Sequence, residues 1–111
     1  MPDVSFAPGD AALDTGAQTV VDGLAKLLSA RPAARLEVCG FAGPTDAPAI
    51  PRRPGARPVD DDTLRRLAER RADAVKRRLV DERGIDAGRI FECRPVAEDE
   101  SAAKPRAELR F

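Results

Sequence analysis

Apolar residues at Ala17, Val20, Val21, Leu24, Leu27 and Leu28 recur at three- and four-residue intervals, the spacing that gathers side chains on one face of an α-helix. Asp14 is placed to cap that helix and Pro32 lies just past its end, so a helix is predicted from Thr15. A second stripe at Leu64, Leu67, Ala68, Ala72, Val75 and Leu79 follows Asp60-Asp61-Asp62, which offer an N-cap and negative charge to a helix start, and Gly84 ends it. Elsewhere the pattern alternates with period two. Val4-Ser5-Phe6 runs into Pro8-Gly9 and reads as a short entry strand. From Arg35 to Phe41, Leu36 and Val38 share one face while Arg35, Glu37 and Cys39 share the other. A third strand is predicted around Arg89 to Arg94 and a fourth where Ala107, Leu109 and Phe111 alternate with Arg106, Glu108 and Arg110, with 98–103 as a polar connection.

The order is therefore βαβαββ, an α+β fold. A helix between the second and third strands favours a right-handed parallel crossover, and a short last connection favours antiparallel pairing, so a mixed four-stranded sheet with two helices packed on it is expected. Leu24, Leu27, Leu28, Val38, Leu67, Val75, Leu79, Ile90 and Leu109 are the candidate core. At 111 residues the chain is read as one domain, 1–111, without internal repeats. Between residues 43 and 59 lie Pro44, Pro48, Pro51, Pro54 and Pro58, which lack donors and restrain their predecessors, so this stretch is expected to be a long, mobile, exposed loop.

Composition narrows the chemistry. Nineteen basic residues balance 19 acidic ones, and no apolar run approaches the roughly 20 residues that cross a bilayer. Met1-Pro2-Asp3 does not resemble the start of a signal peptide. With no His, Asn, Trp or Tyr, the chain lacks Ser-His and Cys-His nucleophile pairs and histidine metal ligands, so no enzyme and no cofactor is expected. Three consecutive aspartates point in different directions and suit helix capping better than a cation. Residues 51–83 carry 11 basic and 7 acidic side chains, a net +4, which a solvated helix face explains unless all the bases align. Cys39 and Cys93 match no metal-binding spacing, leaving free core thiols or one disulfide.

Several stretches together resemble the OmpA-like domain, the peptidoglycan-associated module of bacterial outer-membrane proteins, lipoproteins and flagellar stator proteins. The resemblance covers nearly the whole chain. Val4-Ser5-Phe6-Ala7-Pro8-Gly9-Asp10-Ala11-Ala12-Leu13 fits the family's opening, and Leu36-Glu37-Val38-Cys39-Gly40 fits its second strand. The most specific stretch is Leu67-Ala68-Glu69-Arg70-Arg71-Ala72-Asp73-Ala74-Val75 through Leu79, matching the family's second helix except that Ala68 replaces a Ser. Gly84-Ile85-Asp86 to Ile90, and Arg106-Ala107-Glu108-Leu109, are similar to its last two strands and their entry.

The resemblance implies a diaminopimelate site in which an Asp after the second strand takes the ammonium and a helix Arg takes a carboxylate. Arg71 stands at the Arg position, Gly43 at the Asp position, and Leu64 where a helix Asn is usual. Asp46 could stand in for the missing acid only if the proline-rich loop folds back. The candidate ligand residues are thus Arg71, Asp46, Gly43 and Arg106. This drift is similar to the OmpA-like modules ending large envelope proteins related to the AsmA group. The reading is a non-enzymatic periplasmic or outer-membrane module with a degenerate peptidoglycan site, serving interaction or assembly within a larger protein. The alternatives are genuine peptidoglycan binding through Arg71 and, in another class, a basic-helix nucleic-acid module. If Arg71 has lost its ligand, its guanidinium is expected to pair locally or stay solvated, and its removal to cost little stability.

Overall fold

The computed structural model describes residues 3–51, 54–55, 58–99 and 104–111. Helix α1 spans Thr15–Ala30 and begins, as its pattern requires, with the Asp14 carboxylate accepting from the Ala17 N–H. Helix α2 spans Asp61–Arg77, capped by Asp60, with Asp61 and Asp62 in its first turn, and continues as a π-helical turn over Arg78–Glu82. The strands are β1 (Asp3–Ser5), β2 (Leu36–Ala42), β3 (Ile90–Glu92), β4 (Val96–Ala97) and β5 (Arg106–Arg110).

The sheet order is β1-β5-β2-β3, with β4 beside the far end of β2. β5 lies antiparallel between β1 and β2, whereas β3 and β4 both run parallel to β2. The expected mixed sheet is present, but the third strand is divided. Pro95 has no N–H for the ladder, so pairing that ends with Cys93 N–H donating to Val38 O resumes only at Val96.

Both helices cover one sheet face. Val4, Leu36, Val38, Ile90, Ala107 and Leu109 meet Val21, Leu24, Leu28, Val75 and Leu79 in the main core. Leu67 instead joins Leu64, Ala68 and Ala42 in a smaller cluster at the other end of α2. Leu27, expected in the core, is only half-buried, because it lies on the rim of the α1 stripe with Val20, seven residues earlier. Glycine at position 40 is a packing requirement: a Cβ there would sit 1.8 Å from the Ala68 carbonyl oxygen, so α2 could not approach β2. At the far end of α2, Arg78 and Arg83 both bond the Asp22 carboxylate of α1, and these two sets of hydrogen bonds hold it well below the usual carboxylate range.

The proline-rich loop departs from expectation in its first part. It is anchored by a buried Asp46 and by a 3₁₀ turn at Ala47–Ala49, while residues 52, 53, 56 and 57 lie outside the described residues. Cys39 and Cys93 form a disulfide, with Cα atoms 5.1 Å apart across β2 and the end of β3.

Leu28 is fully buried. Replacing it with Ala is expected to cost about 2–5 kcal/mol through lost burial and a residual cavity, and Leu27→Ala distinctly less. Urea unfolding of the two variants checks this, since equal midpoints would contradict the assigned orientation of α1.

Candidate functional site

Arg71 falls within the apolar stripe of α2, four residues after Leu67 and four before Val75, so the helix turns it inward. There it has no access to solvent. A buried guanidinium is tolerable only when its donors are met, and all five are. Nε donates to the Asp10 carbonyl at 2.9 Å. Nη1 donates to the Phe41 carbonyl at 2.8 Å and to Asp46 Oδ2 at 2.9 Å. Nη2 donates to the Ala7 carbonyl at 3.2 Å and to Asp46 Oδ1 at 2.5 Å. The Phe6 ring closes the remaining side, its centroid 5.3 Å from the guanidinium carbon.

Asp46 is matched in the same way. Besides the two bonds from Arg71, Oδ1 accepts from the Gly9 N–H at 2.8 Å and Oδ2 from the Gly43 N–H at 3.1 Å. Gly9 reaches this position with φ of +72°, against Ala49 of the 3₁₀ turn, where a side chain would collide. Burial alone pushes the Asp46 carboxyl up, but the hydrogen bonds from Arg71, Gly9 and Gly43, with the Arg71 charge, outweigh it and hold the group below its ordinary value. The loop has folded back, and the Asp46 carboxylate accepts from both terminal nitrogens of the Arg71 guanidinium.

Three of the four candidate ligand residues therefore meet: Arg71 and Asp46 through their side chains, and Gly43 through its backbone. Arg106 does not join them. It projects from the helix-free face of the sheet, over the Phe41 ring, and pairs with Glu98 and Glu108. Both charges of the site are also internal, so the expectation that losing Arg71 would cost little needs correction. The guanidinium does pair locally, but in a buried pair, and removing either member strands the other. The sequence reading also missed the backbone groups of Ala7, Gly9, Asp10 and Phe41, which carry no side-chain signal. For Arg71 there was a signal, its place in the apolar stripe. The basic stretch of residues 51–83 does not form one continuous face either, because Arg71 turns inward and Arg78 is held against α1.

The OmpA family profile matches residues 5–108. The chain belongs to the OmpA family. Among solved structures it is similar to the OmpA-like domain of FopA1 from Francisella tularensis subsp. tularensis SCHU S4, with a TM-score of 0.72 and 18% identity over 96% of this chain and 68% of that one. The peptidoglycan-associated lipoprotein from Burkholderia pseudomallei gives 0.70 and 18%, over 96% of this chain and 86% of that one. The cell wall anchor of the T6SS from Pseudomonas aeruginosa gives 0.62 and 20%, over 95% and 72%. No curated protein matches the sequence. These likenesses establish the fold.

The pair makes stability depend on acid. Asp46 ionises at lower pH in the folded chain than in the unfolded one, where a carboxyl titrates near 3.9, so its contribution is complete above about pH 4 and is lost as pH falls through the lower folded value. Asp46→Asn is expected to unfold at lower urea than the parent at pH 7, with the gap narrowing below about pH 4. A gap independent of pH would contradict an ionised Asp46.

Proposed function

We propose that this OmpA-family domain is a non-enzymatic module of the bacterial envelope that has lost peptidoglycan attachment and serves contact or assembly within a larger protein. The observation that carries this reading is the completeness of the Arg71–Asp46 pair, in which five guanidinium donors and both carboxylate oxygens are already matched. A ligand carboxylate could reach Arg71 only by displacing Asp46, exchanging one charge-assisted pair for an equivalent one and leaving the displaced acid and the Gly9 and Gly43 amides to be rehydrated. The exchange adds no charge pair to those the free domain already has, so a ligand carboxylate brings no net gain at Arg71 while the ordering of the loop around Asp46 is lost. No acid stands at position 43 to take a ligand ammonium, because that residue is glycine.

An envelope setting is supported by the structural neighbours, which include a peptidoglycan-associated lipoprotein and a cell wall anchor. The disulfide agrees, since such bonds persist in oxidising compartments. Genuine wall binding through Arg71 is the second reading, favoured by the retention of that arginine at the family position. It requires the Asp46 loop to swing away.

Titration of the isotope-labelled domain with a purified diaminopimelate-containing muropeptide separates the two readings. No saturable shifts are expected up to about 1 mM, which corresponds to a binding free energy of only about −4 kcal/mol. Saturable shifts centred on Gly9, Gly43 and Arg71 would overturn the proposal and restore attachment.

A further inference from the structure

The helix-free face of the sheet carries a cluster unrelated to the Arg71 site. Parallel pairing of Val38 with Glu92 sets the next residues of the two strands, Cys39 and Cys93, side by side, although 54 positions separate them in sequence. Glu37 precedes Cys39 by two residues and shares its face, with Oε1 3.5 Å from the Cys39 sulfur. The two sulfurs and a Glu37 carboxylate oxygen all lie within 4.8 Å of one another. The group is half-open: Cys39 is buried, Cys93 partly so, and Glu37 is exposed.

We propose that the reduced chain binds one thiophilic divalent cation of the zinc class through Cys39, Cys93 and Glu37, at a site that the disulfide closes. Two thiolates and a carboxylate are donors that zinc accepts, with bonds of about 2.3 Å to sulfur and about 2.0–2.2 Å to oxygen. A tetrahedral ion then asks the sulfurs to stand about 3.8 Å apart, which rotation about the two Cα–Cβ bonds supplies from Cα atoms 5.1 Å apart. The fourth position faces solvent on the Glu37 side and is left to water. Glu108, the register partner of Cys39 on β5, is held by Arg106 and Arg110 and is not a ligand.

The chemistry balances. A dithiol delivers two electrons and two protons to the Cys39–Cys93 bond and leaves as its disulfide, whereas a phosphine delivers two electrons and leaves as its oxide, with one water supplying the oxide's oxygen and the two thiol protons. Cation binding then releases both thiol protons. Bridge and cation compete for the same sulfurs, so each state excludes the other. The strand pairing that positions the cysteines is independent of the Arg71 site, and the site stands whether or not the domain binds wall peptide.

The test uses the full 111-residue chain, reduced anaerobically with a phosphine and titrated with Co²⁺, then with Zn²⁺ in competition. Thiolate-to-cobalt charge-transfer absorption saturating at one ion per chain is expected, with none in the oxidised chain. Cys93→Ser, at the sheet edge, should abolish the band. Glu37→Gln alters an exposed side chain, and should weaken binding by about tenfold or more, since loss of a direct ligand should match or exceed the 10–100-fold typical of supporting partners. Absence of the band in the folded reduced chain, loss of fold on reduction, equal binding by the oxidised chain, one ion per two chains, or an unchanged affinity in Glu37→Gln would each overturn the proposal.

Discussion

A charged guanidinium at the centre of an apolar helix face sets the terms for the loops around it. Arg71 cannot be solvated where α2 places it, and an unmatched buried charge would be far too costly for a domain of ordinary stability. Its acceptors come from three separate stretches: the Ala7 and Asp10 carbonyls after β1, the Phe41 carbonyl near the end of β2, and the Asp46 carboxylate in the loop beyond. Asp46 in turn collects the Gly9 and Gly43 amides. One ion pair thereby fixes the entry to α1, the exit from β2 and the first part of a loop that has no regular structure to hold it. Gly9 against Ala49 is a close contact within that arrangement.

Much of this was legible in the sequence, and the omissions share a cause. Both helices and their caps follow from local signals, an apolar repeat and an aspartate one residue ahead, and the central strand follows from the alternation around Leu36 and Val38. Arg71 could be placed by its helix context. What escaped reading depends on partners remote in sequence. Asp46 lies 25 residues from Arg71, in a stretch whose prolines erase periodicity, and nothing local says that it turns inward. Cys39 and Cys93 satisfy no motif until the β2–β3 register brings them together. The division of the third strand rests on Pro95, whose effect could be anticipated, but whether pairing resumes beyond it depends on β2. Leu27 has the right residue type and nearly the right phase, and only packing separates rim from core.

The functional argument is one of occupancy. Recognition of a zwitterionic centre needs two opposite charges offered outward. Here residue 43 is glycine, the acid three residues later points inward, and the Arg71 guanidinium is matched by it. Among the described residues the exposed large apolar side chains lie elsewhere, at Phe91, Val96 and Phe111. An OmpA-family fold here carries a buried Arg71–Asp46 pair that ties together the loops around it.

The most direct measurement of that pairing is a double-mutant cycle on Arg71 and Asp46, read by urea unfolding at neutral pH. If the pair is internal and buried, Arg71→Ala and Asp46→Ala should each cost about 3–5 kcal/mol, and the double variant little more than the costlier single one, a coupling at or above the upper end of the 0.5–3 kcal/mol range for contacting residues. Single substitutions that leave the midpoint unchanged, or costs that simply add, would show that Arg71 is not committed to Asp46, and the account of a closed site would fail.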